Sequence, residues 1–156
     1  MDKIKWCLKA KNGFELVEPN ENLTNAYLKK AENSLKATLA LKGIKDWEIS
    51  SSYYAMYFSL YAILMKIGIK CEIHSCSINF MRYFLSKYFK EEEINLVERS
   101  QKARIDTQYY SNRNISNELY EKIINNASLF FIRCKEVLNN LDENSIQEIR
   151  KIIQKY

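Results

Sequence analysis

Hydrophobic residues recur every three or four positions along most of this chain, with polar residues between them. The spacing is clear where Leu28, Ala31 and Leu35 would share one helix face, and Gly43 follows as a stop signal. The pattern predicts five main helices and a tail helix after the capping residue Asp142. The approximate ranges are 20–41, 46–68, 76–89, 91–110, 116–140 and 142–156.

The first 20 residues show no sustained period and end at Pro19 and Asn20. We therefore predict an N-terminal arm over residues 1–20, with one short turn near residues 4–8, packed on the helices. Only 3 glycines and 1 proline occur in 156 residues, which is too few for the turns of an all-β fold. These features predict an all-α fold and one domain over residues 1–156.

The net charge and the cysteines indicate which partners and which cellular compartment to expect. The net charge of +5 would ease contact with an acidic partner such as RNA, although it is no nucleic-acid signature by itself. The four cysteines lack the spacing of a disulfide framework, and no secretory leader precedes them, so we predict a reducing cytoplasm. Residues 53–69 are apolar but include several tyrosines and Lys66, which favours a buried central helix over a membrane span.

The chain contains no complete set of catalytic groups. Its glycines stand alone, which excludes a phosphate-binding P-loop, and its single histidine, His74, accompanies no nucleophile elbow. Cys71, His74 and Cys76 lie in one loop and are suitable zinc ligands, with Cys7 as a possible fourth. Their spacing matches no established zinc pattern, so we predict neither a metal nor a cofactor. In the alternative interpretation, His74 and Ser75 cap or brace the following helix.

Residues 98–113 form the most distinctive polar segment. Four cations, Arg99, Lys102, Arg104 and Arg113, outnumber the acids there. Guanidinium groups interleaved with tyrosines suit contacts to phosphates and bases. The alternative is a solvated helix face in which Arg104 and Asp106 form local ion pairs.

Four segments carry a family resemblance: 26–35 (AYLKKAENSL), 51–64 (SSYYAMYFSLYAIL), 73–76 (IHSC) and 103–110 (ARIDTQYY). In this order they resemble the HEPN superfamily, small helical bundles of prokaryotic toxin–antitoxin and nucleotidyltransferase-associated proteins. The resemblance implies an antiparallel up-and-down bundle that forms a homodimer. It also implies a polar groove where the fourth helices of the two subunits meet.

Ribonuclease members of that superfamily carry R-x(4–6)-H in this groove. Arg104 matches the arginine, but the histidine window holds Tyr109, Tyr110 and Ser111. Phenols ordinarily ionise near pH 10 and are poor proton shuttles at neutral pH. The resemblance therefore implies a non-catalytic module that binds RNA, nucleotide or a nucleotidyltransferase partner, as in a toxin–antitoxin system. The predicted groove residues are Arg99, Arg104, Asp106, Tyr109, Tyr110 and Arg113.

Three alternatives stay open. The chain would be a divergent metal-independent ribonuclease if Arg104 stabilised phosphate charge while Tyr109 or Tyr110 replaced the histidine. By analogy with the superfamily, Tyr109 or Tyr110 would instead accept a nucleotidyl group from the partner enzyme. In the simplest alternative, the tyrosines and the polar segment only hold two subunits together.

Overall fold

The computed structural model describes residues 2–155 and is mostly helical. Seven helices and one two-stranded sheet occur in this range, which confirms the all-α prediction in its main outline. The elements in chain order are α1 (Asp2–Lys9), β1 (Glu15–Leu16), α2 (Glu21–Ala40), α3 (Lys45–Ile67), β2 (Ile69–Lys70), α4 (His74–Phe84), α5 (Glu91–Tyr109), α6 (Asn117–Asn140) and α7 (Glu143–Gln154).

Several helix ends follow from local sequence. The side chains of Asn20, Ser116 and Asp142 each accept a hydrogen bond from a backbone N–H of the first turn of α2, α6 and α7. Gly68 ends α3 in the left-handed conformation, with φ of 81°. Asp46 does not cap α3, contrary to the prediction, because the helix already begins at Lys45.

Helix α3 is the centre of the fold. It packs against α2, α5 and α6, and side chains around its circumference, such as Tyr53 and Leu60, are fully buried. This confirms the prediction of a buried central helix, because a helix that is apolar on all sides is expected to lie in the core. None of the helices within residues 2–155 is long and apolar enough to cross a membrane.

The segment before α2 is more ordered than a simple arm. Helix α1 has eight residues, and β1 pairs antiparallel with β2 so that Leu16 lies opposite Ile69. Cys7 of α1 and Cys76 of α4 form a disulfide with a Cα–Cα distance of 5.7 Å. The expectation of reduced cysteines is therefore wrong for this pair, whose residues come together only in the folded chain. Cys71 and Cys134 are free and buried.

The tail helix α7 packs on the bundle, as Ile146, Ile149 and Ile153 are all buried. Arg150 of α7 donates from Nη1 to the carbonyls of Val17, Ile67 and Gly68 at 2.7, 3.0 and 3.0 Å. These carbonyls lie where α3 ends, and the positive charge is favourable at a helix C-terminus. Arg150 therefore joins α7, the end of α3 and the N-terminal segment.

Candidate functional site

Aromatic side chains of α3, the first residue of α4 and Arg104 of α5 form one cluster. His74 stacks on Tyr57 with ring centroids 3.9 Å apart, and its Nδ1 lies 2.5 Å from the hydroxyl of Tyr53. The Arg104 guanidinium lies 5.4 and 5.6 Å from the ring centroids of Tyr53 and Tyr54. The structure thus brings the single histidine of the chain beside the arginine singled out from the sequence.

Burial controls the protonation of this cluster. Burial first, and the positive charge of Arg104 second, together lower the pKa of His74 to about 4. Burial also raises the pKa of Tyr53 and Tyr57 well above the ordinary value of a phenol. At neutral pH the imidazole and both phenols are therefore uncharged, and Arg104 carries the positive charge of the cluster.

Arg104 forms no ion pair with any side chain of residues 2–155. Its Nη1 donates long hydrogen bonds to Tyr54 Oη at 3.4 Å and to Gln108 Oε1 at 3.3 Å. Its buried Nε has no acceptor among the described residues. The alternative of local ion pairs therefore holds only for Asp106, which accepts from Arg113 at 2.6 Å.

The other predicted groove residues lie elsewhere on the same chain. At 3.6 residues per turn, positions 99, 102 and 106 of α5 fall on the side opposite to 101, 104 and 108. Arg99, Lys102 and Asp106 border a separate cleft of about 380 Å³ beside residues 114–116. Within this chain, the predicted groove residues are thus divided between two faces of α5.

The two tyrosines in the histidine window lie at the end of α5. Tyr109, its last residue, is 71% exposed. Tyr110 follows the helix, with the Arg113 guanidinium 3.7 Å from its ring centroid. Neither phenol belongs to the cluster around Arg104.

Two clefts flank Arg104 along α5, and each contains one of the two tryptophans. Towards the start of α5, a cleft of about 420 Å³ is bordered by Trp6 of α1, residues of α4 and Gln101. Towards its end, an apolar cleft of about 350 Å³ is bordered by Trp47, Tyr54 and Gln108. Both tryptophan side chains are 58% exposed. We call the surface formed by Arg104 and these two clefts the Arg104 face.

The three candidate zinc ligands have other partners. Cys76 is in the disulfide, the Cys71 thiol donates to the carbonyl of Ile73, and His74 contacts Tyr53. No group of three or more suitable side chains within residues 2–155 could hold a metal ion. Of the two predicted roles, capping is wrong, because Ile73 occupies the N-cap position of α4 without a side-chain bond, whereas bracing by His74 is confirmed by its contacts with Tyr53 and Tyr57. His74 thus braces the start of α4 against α3.

A family model for the HEPN domain matches residues 24–154. The chain belongs to the HEPN family. The match confirms the resemblance found in the sequence and identifies a nucleotide- or RNA-related module. No curated protein matches the sequence.

The HEPN match begins within α2 and runs to the end of α7, so α1 and β1 lie outside it. Arg104 therefore belongs to the matched region, whereas Trp6 and Cys7 lie in the segment before it. Sequence reasoning placed Tyr53, Tyr54 and Tyr57 in the core and His74 in a separate loop. The HEPN-like order of the tyrosine pair, the histidine and the arginine is the one sequence signal that links these residues, and it does not predict their contact.

Proposed function

We propose that this HEPN protein binds single-stranded RNA on the Arg104 face as a non-catalytic interaction module. The observation that carries the proposal is the lone charge of Arg104, which has no acidic partner among the described residues and lies over two tyrosine rings. A guanidinium group with free donors is suited to a phosphate, and flanking aromatic side chains are suited to bases.

The surroundings of Arg104 favour an anion. A phosphate oxygen would accept from the guanidinium, whose present acceptors, Tyr54 and Gln108, form only long hydrogen bonds of 3.4 and 3.3 Å. The neutral imidazole of His74 adds no charge, and its ring helps to fix Tyr53 and Tyr57. Charge-assisted hydrogen bonds in such a partly buried setting are stronger than those on an open surface.

The proposal includes a homodimer and a nucleotidyltransferase partner, as in a toxin–antitoxin system. Exposed apolar side chains near the end of α5 support a protein-binding surface there. Trp47 and Tyr109 border one cleft of about 400 Å³, and Leu39 and Ile44 are exposed near the turn between α2 and α3. Clustered apolar exposure of this kind commonly marks protein interfaces.

The test is the fluorescence anisotropy of a labelled single-stranded RNA, with oligomeric state measured by light scattering. Arg104→Ala is expected to weaken binding about 10- to 150-fold, because a charge-assisted contact is lost. Arg99→Ala is the matched control, since it removes the same charge from the opposite face of α5. Equal losses in the two variants would show general electrostatic attraction and would overturn the proposed site.

A second candidate is metal-independent RNA cleavage, favoured by the position of His74 beside Arg104. The neutral imidazole would take the proton of a ribose 2′-hydroxyl, whose oxygen would attack the adjacent phosphorus. The P–O5′ bond would break, the leaving oxygen would take a proton from water to give a 2′,3′-cyclic phosphate, and the resulting hydroxide would take the proton back from the imidazolium. Arg104 would stabilise the phosphate charge. Cleavage lost in both Arg104→Ala and His74→Gln would support this candidate, and an RNA left intact by the wild-type protein would refute it.

A further inference from the structure

The cleft of about 420 Å³ between α1, α4 and α5 has the chemistry of a small-ligand site. Trp6 offers an exposed ring at one side, and Asn79 and Gln101 offer half-buried carboxamides at the other. Neither carboxamide forms a side-chain hydrogen bond with the described part of the chain, so both keep a free donor and a free acceptor. The volume lies within the usual range for small-ligand sites.

A flat heteroaromatic ring with donors and acceptors on its edge would satisfy all of these groups. Tryptophan is a stacking surface for nucleobases, and asparagine and glutamine pair with base edges, especially that of adenine. Lys3 adds a positive charge at the same cleft. Glu98, the acid that borders it, is paired with Arg82 at 3.0 Å, which reduces its repulsion of an anion.

The cleft lies about one helical turn from Arg104 along α5. Gln101 precedes Arg104 by three residues on α5, a rise of about 4.5 Å along the helix. Ser75, which also borders the cleft, follows His74 of the Arg104 cluster. An RNA strand with one base in the cleft would need to span about one helical turn to place a phosphate at Arg104.

The disulfide fixes the two sides of this cleft relative to each other. Cys7 follows Trp6 in α1, and Cys76 follows Ser75 in α4. The bond therefore attaches a wall from the N-terminal segment to a wall from the HEPN-matched region. A covalent link beside both walls would preserve the spacing that an inserted ring requires.

We propose that this cleft binds one nucleobase of an RNA strand whose phosphate contacts Arg104, with Trp6 stacking on the base and Asn79 and Gln101 pairing with its edge. The inference rests on the proposed function and adds a base subsite to it. Because Lys3 and Trp6 lie outside the HEPN match, the subsite would be a property of this chain rather than of the matched domain.

The experiment measures binding of labelled octa-adenylate RNA to the oxidised full chain by fluorescence anisotropy. Trp6→Ala is expected to weaken binding about 5- to 150-fold, the usual effect of removing a base-stacking ring. Trp6→Phe is the matched control and should stay within about threefold, because it keeps an aromatic face. Trp6 is largely exposed, so neither substitution opens the core.

A second readout uses intrinsic fluorescence. In a Trp47→Phe background, Trp6 is the one remaining tryptophan, and adenosine monophosphate should quench it whereas ribose 5-phosphate should not. Full binding by Trp6→Ala together with lost binding by Arg104→Ala would refute the base subsite and leave the proposed function intact. No binding of RNA or adenosine monophosphate by the wild-type protein would refute both.

Discussion

The depressed pKa of His74 should make folding stability depend on pH in a defined window. The imidazole has a pKa of about 4 in the folded protein and near 6.5 in an unfolded chain. As pH falls from 6.5 towards 4, the unfolded chain gains a proton that the folded protein does not, so the folded state is destabilised. This contribution is fully present above pH 6.5 and is lost on acidification.

The size of the effect follows from these two values. Lowering the pH from 7 to 5 would reduce the free energy of unfolding by about 2 kcal/mol if the ring were fully buried. The ring is only partly buried, and solvent screening reduces the expected loss to about 1 kcal/mol. For a protein of this length, that loss lowers Tm by about 2–4 °C.

Urea unfolding of the wild-type protein and His74→Gln at pH 7 and pH 5 measures this contribution. The variant loses the stacking on Tyr57, so its stability at pH 7 falls, but its loss between the two pH values should be about 1 kcal/mol smaller. The chain has one histidine, so in untagged protein a single imidazole resonance reports the titration by NMR. A midpoint near 6.5, or equal pH sensitivity in both proteins, would refute the reasoning.

Two further predictions concern stability. Arg150→Ala should lower the free energy of unfolding, measured in urea, by about 2–3 kcal/mol, because three carbonyls lose a charged donor. The control Lys151→Ala, at an exposed position, should change it by less than about 0.5 kcal/mol. Equal effects of the two substitutions would contradict this role of Arg150. Reducing the Cys7–Cys76 bond, which spans 69 residues, should lower the free energy of unfolding by about 4 kcal/mol by the loop-entropy model. Alkylation of the denatured but unreduced protein should modify only the two free thiols, those of Cys71 and Cys134. Four modified thiols would contradict the disulfide.

Much of the fold could be predicted because its signals are local. The three- and four-residue spacing predicts α2 to α7, although α4 spans His74–Phe84 rather than residues 76–89, and the predicted capping residue Asp142 lies directly before α7. The N-terminal segment could not be predicted in this way. Helix α1 is short, and its order depends on pairing of β1 with β2 and on a bond to Cys76, which is distant in sequence.

The candidate site was only partly predictable for a similar reason. The sequence identified Arg104 as a candidate contact for phosphate, but the charged segment alone does not reveal that Arg99 and Arg104 lie on opposite sides of α5. The contact between Tyr53 and His74 joins residues 21 positions apart on different helices. No local pattern predicts such a contact, and the sequence alone places His74 in a loop.

The bonds from Arg150 have a consequence for shortened forms of this protein. Deleting α7 would remove the only side chain of the described range that donates to the carbonyls of Val17, Ile67 and Gly68 together. The strand pairing that leads from α1 into α2 would then lose its support from the opposite terminus. A C-terminal truncation would therefore loosen the N-terminal segment, so the two ends of this chain cannot be trimmed independently.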